Sequence, residues 1–124
     1  MAKCDQGYLC EVCGGDVSSI VDSDLYLRYV IGQIPAEVLH TTPERHLQCN
    51  PILSQYIDDK HFDRPTVRGD FARERLDADY VQRQVTLVTR GYERLRQIQD
   101  DDDLTDVTEY PLPEYRWSPE TGGQ

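Results

Sequence analysis

Two short stretches hold most of the side chains able to do chemistry. LCEVCGGD, residues 9–16, sets Cys10 two residues from Cys13 and follows them with Gly14 and Gly15. HLQCNP, residues 46–51, sets His46 two residues from Cys49. Thiolates at this spacing converge because the chain turns back between them, and the glycines supply the φ > 0 conformation that such a turn needs after its second sulfur. The second pair lies just before Asn50-Pro51, a helix start whose positive end favours thiolates. Cys/His sets of this kind bind tetrahedral zinc, and a structural site is closed by four protein ligands.

Other chemistries fit these residues less well. A thioredoxin-like C-x-x-C opens a helix within a βαβ unit, whereas Gly14-Gly15 disfavours a helix and no βαβ pattern surrounds it. Rubredoxin-like iron wants a second cysteine pair in place of His46-x2-Cys49. A catalytic zinc needs an open position and a general base. Glu11 and Glu44 stand beside the candidate ligands, but charged neighbours of this sort are ordinarily solvated. H-E-x-x-H, a P-loop, G-x-S-x-G, G-x-G-x-x-G and the zinc-deaminase signature are all absent from the sequence. His40 and His61 stand alone and read as solvent or core histidines.

CEVCGG resembles the zinc knuckle of zinc-ribbon and treble-clef domains, and HLQCNP running into a helix is similar to the second ligand pair of a treble clef. The likeness spans roughly residues 4–57. It implies one structural Zn2+ per chain with Cys10, Cys13 and Cys49 as ligands. The sequence departs from that pattern in the 32 residues between Cys13 and His46 and in a spare cysteine, Cys4. The fourth ligand is therefore open between His46 and Cys4. His46 is favoured, because on a helical turn it shares a face with Cys49, while Cys4 would have to fold back on a flexible arm. The whole chain also resembles a family of small bacterial zinc-binding proteins, a likeness that brings no function with it.

The elements expected to position these residues are mainly helical. Ser23 can cap DLYLRYVIG and Gly32 can end it; a short strand is the competing reading. Ile34-Pro35, Thr42-Pro43 and Asn50-Pro51 each place proline at a helix start, so residues 35–57 read as short helices joined by tight turns. Residues 58–70 read as a polar loop. DADYVQRQVTLVTRGYERLRQIQ then predicts a long helix, with Val81, Val85, Val88, Tyr92 and Leu95 in one apolar stripe that packs on the rest or forms a dimer seam. Gly91 weakens it by about 1 kcal/mol relative to alanine.

Charge divides the chain. Its net charge is −10, and residues 100–124 hold eight of the 23 acidic residues but one of the 13 basic ones. With Pro111, Pro113 and Pro119, this predicts an extended acidic tail hinged at Asp100–Asp103, with Tyr110, Leu112, Tyr115 and Trp117 loosely held. Eleven of the bases are arginine. Arg83, Arg90 and Arg94 share a helix face that, with Arg73 and Arg75, could meet phosphate, form a solvated face, or be covered by the tail. No apolar run is long enough to span a membrane. The opening MAKCDQGYLC lacks a signal-peptide core, which points to the cytoplasm, where thiols stay reduced.

The expectation is a small, mainly α zinc-binding domain over residues 1–99 with an acidic, proline-containing tail over 100–124. It would be a monomer or weak homodimer acting as a protein-interaction adaptor. A zinc enzyme with an open metal site and a nucleic-acid binder through the arginine face are the alternatives, the latter disfavoured by the charge.

Overall fold

The computed structural model describes residues 8–17, 19–104 and 106–115. They form a two-stranded antiparallel hairpin, β1 (Tyr8–Leu9) and β2 (Asp16–Val17), and three α-helices. These are α1 (Asp24–Val30), α2 (Pro51–Ser54) and α3 (Ala78–Asp100), separated by 3₁₀ turns and irregular chain. Residues 58–70 contain no helix or strand, as their polarity implies.

The cap and stop signals settle α1 as a helix. The Ser23 hydroxyl accepts the Tyr26 N–H at 3.0 Å. Gly32 adopts φ +84° past the C-terminus, and Gly32 N and Gln33 N close onto the Tyr29 and Arg28 carbonyls at 3.1 and 2.8 Å. Helix α1 is buried on nearly every side, Leu25, Tyr26, Leu27, Tyr29 and Val30 included.

The proline starts behave differently from one another. Pro51 opens α2 as expected, and Pro35 leads into a 3₁₀ turn over Ala36–Thr41. Thr42-Pro43 does not begin a helix. Residues 44–46 instead run extended, bridging Cys10 through Glu44 and Ser23 through His46. Their backbone is taken by partners outside the segment: the Glu44 carbonyl accepts Glu11 N at 2.9 Å and the Arg45 carbonyl accepts Asp24 N at 2.9 Å.

Helix α3 lies across α1 and the 3₁₀ turn at Ile20–Asp22. Asp77 caps it by accepting Tyr80 N at 3.0 Å. Its stripe faces the core: Val88, Tyr92, Leu95 and Ile98 are buried, with Val81 and Val85 partly so. Gly91 is the point of closest approach, since a Cβ there would strike Ile31 Cγ2 and come within 2.9 Å of Leu27 Cδ1. The glycine that weakens the helix by propensity is what lets α1 and α3 meet.

Over residues 106–115 the chain corrects the expectation of an extended, loosely held tail. The acidic run ends the helix in an exposed turn, with Asp103 N on the Asp101 carboxylate at 3.0 Å. The chain then returns along α1. Tyr110 is fully buried against Tyr26, Leu112 is buried, and Leu112 N donates to the Val30 carbonyl at 3.0 Å. The Tyr115 ring sits directly over Gly32, where a Cβ would lie 2.8 Å from its Cε1. Charge alone mispredicts this segment because its apolar residues pack against the core and one of its acids finds an arginine: Glu114 pairs with Arg90 at 2.6 and 3.0 Å. Trp117 lies outside the described residues.

Two substitutions test this packing. Gly91→Ala should lower stability by about 1–3 kcal/mol through overpacking, against the gain of about 1 kcal/mol that helix propensity alone forecasts; the urea midpoint reports the sign. Tyr110→Ala should cost about 3–5 kcal/mol, as for other large core aromatics. A cost below about 1 kcal/mol, within the range of a surface change, would show that residues 104–115 do not belong to the core.

Candidate metal centre

The hairpin presents the first ligand pair. Strand pairing of Tyr8 with Val17 and Leu9 with Asp16 brings the chain into a tight turn. That turn is closed by Cys10 N on the Gly15 carbonyl at 2.8 Å and Gly14 N on the Cys10 carbonyl at 2.9 Å. Gly14 has φ +76° and open space where a Cβ would be, so glycine is required there by the backbone and not by crowding. Gly15 is a position of contact: a Cβ would lie 3.6 Å from both Cys13 Sγ and His46 Cε1.

The second pair is held by the 44–46 strap. Glu44 is buried, and its carboxylate accepts the Ser23 hydroxyl at 2.9 and 2.8 Å, Leu25 N at 3.2 Å and Arg45 N at 3.0 Å. Ser23 and Glu44 thus cap α1 together. Burial, as the largest influence, holds the Glu44 carboxyl above its ordinary range despite these bonds. Cys49 follows in a 3₁₀ turn, its N–H on the His46 carbonyl at 3.0 Å.

Cys10, Cys13, His46 and Cys49 converge, one ligand atom from each lying within 4.8 Å of all the others. Zinc–sulfur bonds of about 2.3 Å in a tetrahedron put sulfurs about 3.8 Å apart, so the group has the dimensions to close on an ion. His46 Nδ1 lies 3.3 Å from Cys13 Sγ and 3.9 Å from Cys49 Sγ. His46 Nε2 lies 2.7 Å from the Asp16 carbonyl oxygen. A carbonyl only accepts, so Nε2 carries the proton and Nδ1 turns its lone pair toward the sulfurs, the usual arrangement behind a metal-bound imidazole.

The three sulfurs differ in their surroundings. Cys10 is buried, Cys49 half-buried and Cys13 exposed. Burial acts to raise the Cys10 thiol, but donation from the backbone N–H groups of Cys13, His46 and Val12 prevails and lowers it to about 6. Two of those contacts are Val12 N and His46 N at 3.4 Å each. Burial and then the neighbouring thiols of Cys10 and Cys13 push Cys49 up to about 11. For His46, burial lowers and the bond to Asp16 together with Cys10 and Cys13 raises, with a net upward shift.

The remaining candidates fall elsewhere. Glu44 is spent on the α1 cap, and Glu11 faces Arg45 at 3.3 Å, so neither joins the converging group. His61 is exposed and pairs with Asp59 at 2.9 Å. Cys4 lies outside the described residues, as does the side chain of His40. What sequence reasoning missed is the support beyond the Ser23 cap: Asp16 and Glu44 act on the site through bonds between residues distant in the chain, which no local motif encodes.

The thiol environments give the metal site a pH signature. Before zinc enters, Cys49 keeps its proton at neutral pH, His46 holds its own above the usual imidazole range, and Cys10 is ionised above about pH 6. If the group takes a metal ion, its apparent affinity should fall by at least about tenfold for each unit the pH drops near neutrality, and more steeply below pH 6, as each displaced proton adds to the slope. Competition with a chromophoric chelator across this range measures it, and a flat profile would exclude the cluster as the binding site.

No family model, curated protein or solved structure matches the chain, so the knuckle-like resemblance of its motifs stands without a family assignment.

Proposed function

We propose that the chain is a structural-zinc module, with one Zn2+ held by Cys10, Cys13, His46 and Cys49, and that it serves as a protein-interaction adaptor. The convergence of three sulfurs and a correctly oriented imidazole carries the metal reading. Four protein ligands leave a tetrahedral ion no position for water, which disfavours the zinc-enzyme alternative. Zinc would tie the knuckle to the 44–46 strap, two pieces too small to hold their geometry alone.

The adaptor reading rests on the surface around that site. Leu9 and Val12 flank Cys10 and are 64% and 59% exposed. Beside them lies a cleft of about 570 Å³, walled in part by Leu9, Ala36, Leu39 and Val107. Exposed apolar side chains on a rigid turn suit contact with another protein. The nucleic-acid alternative loses support because two of the three arginines on that helix face are engaged internally: Arg90 holds Glu114, and Arg94 donates to the Tyr110 and Glu109 carbonyls at 2.8 and 2.6 Å. Among the described residues, no helix is long and apolar enough to cross a membrane.

Elemental analysis tests the reading. Purified protein should carry about one equivalent of zinc, lose it on substitution of Cys10, Cys49 or His46 by alanine, and melt at lower temperature when a chelator strips it. Metal-free protein whose melting ignores chelators would refute a structural zinc.

A further inference from the structure

The four ligands are not equally protected, and the asymmetry falls on one sulfur. Cys10 is buried and accepts backbone N–H groups, which draw charge from its sulfur. Cys49 is half-buried. Cys13 is exposed at the tip of the turn, its sulfur 3.3 Å from His46 Nδ1 and hydrogen-bonded with the Cys49 thiol. Position 15, where a side chain would cover that sulfur at 3.6 Å, holds glycine. An exposed thiolate is attacked by a small oxidant more readily than a buried, N–H-bonded one, because its approach is less hindered.

From this geometry we infer that Cys13 is a modification site for small two-electron oxidants of the peroxide class, and that its oxidation releases the metal. The inference rests on the zinc reading above. The Cys13 thiolate attacks one peroxide oxygen, the O–O bond breaks, and hydroxide leaves, giving a sulfenic acid at Cys13. A second thiolate, Cys10 or Cys49, each with its sulfur within 4.8 Å, then attacks the sulfenic sulfur. Hydroxide leaves again and a disulfide forms. Two thiolates lose two electrons in all, peroxide gains them, and the two hydroxides take up protons as water. The ion keeps its charge but loses two of four ligands. With it goes the tie between the knuckle and the strap, and with that the fixed placement of Leu9 and Val12.

The test uses full-length, zinc-loaded protein treated with stoichiometric hydrogen peroxide. Zinc release is followed with a chromophoric chelator, and each cysteine is mapped by mass spectrometry after trapping with dimedone and alkylation. Cys13 should be the first of the three cluster cysteines modified, in step with zinc release. Gly15→Ala, which covers the Cys13 sulfur without removing a ligand, should keep its zinc and release it at least about threefold more slowly. Cys13→His, a ligand of another kind, should resist release about tenfold or more if it still binds zinc; if it does not fold, the mapping and Gly15→Ala decide. First modification at Cys10 or Cys49, or zinc loss that precedes modification of Cys13, overturns the inference while leaving the zinc reading intact. Protein that never carries zinc overturns both.

Discussion

A two-residue hairpin cannot hold two sulfurs in place by itself, since isolated hairpins are marginal even at greater length. The geometry of the whole site depends on what braces it, and the brace is the extended strap at residues 44–46. One edge of the strap pairs with the knuckle through Glu11 N and the Glu44 carbonyl, and the other pairs with the start of α1 through Asp24 N and the Arg45 carbonyl. The Glu44 side chain turns inward and caps α1. Three elements that would be unstable apart therefore share one set of hydrogen bonds. His46 comes at the end of this strap, so backbone pairing sets its place opposite Cys13 and the bond from its ring to the Asp16 carbonyl sets its orientation.

The brace brings charge into the interior. Asp24 is fully buried, with Arg28 Nε at 2.8 Å, Asn50 Nδ2 at 2.8 Å and Arg45 Nε at 3.4 Å. Buried carboxylates gain little net stability from such pairing, but removing one partner leaves a desolvated charge behind. The arrangement is therefore better understood as fixing position. Asp24 binds α1, the strap and the residue before α2 at once, and that residue, Asn50, follows directly on Cys49. A metal at the cluster would add a second tie, joining the knuckle to the strap and to the turn before α2. The α1–α3 packing, by contrast, is apolar and continuous from Ile31 and Leu27 at Gly91 to Leu95 and Ile98. The molecule thus has a hydrophobic half that does not involve the cysteines and a polar half that does.

What was legible in the sequence follows the same division. Local signals worked wherever a few neighbouring residues decide the outcome: Ser23 and Gly32 bound α1, Asp77 caps α3, the valine stripe finds the core, and Gly14 takes the left-handed turn. The four converging residues were also legible, because C-x2-C and H-x2-C spacing is itself local. Thr42-Pro43 misled, since proline marks a helix start only if the following N–H and C=O groups have no better partner, and here the knuckle and α1 supply them. Helix propensity gave only one side of Gly91, because it describes an isolated helix and the contact with Ile31 lies outside it.

The segment after α3 shows why composition is a poor guide when charge and apolar residues are interleaved. Taken as a sum, its acids argue for an extended chain. Taken residue by residue, they separate. Asp100–Asp103 stand in or beside an exposed turn, where their charges remain hydrated. Past that turn, Leu104, Val107, Tyr110 and Leu112 pack against the core, and burial of large apolar side chains yields about 1.5–3 kcal/mol each. Several such side chains offset the ordering of a short backbone segment at about 1–2 kcal/mol per residue only if polar groups are satisfied on the way in. They are: Leu112 N meets the Val30 carbonyl, and Arg94 takes the Tyr110 carbonyl. Arg90 and Arg94, two of the arginines that suggest a phosphate-binding face in the sequence, help this acidic segment to lie down on its own helix.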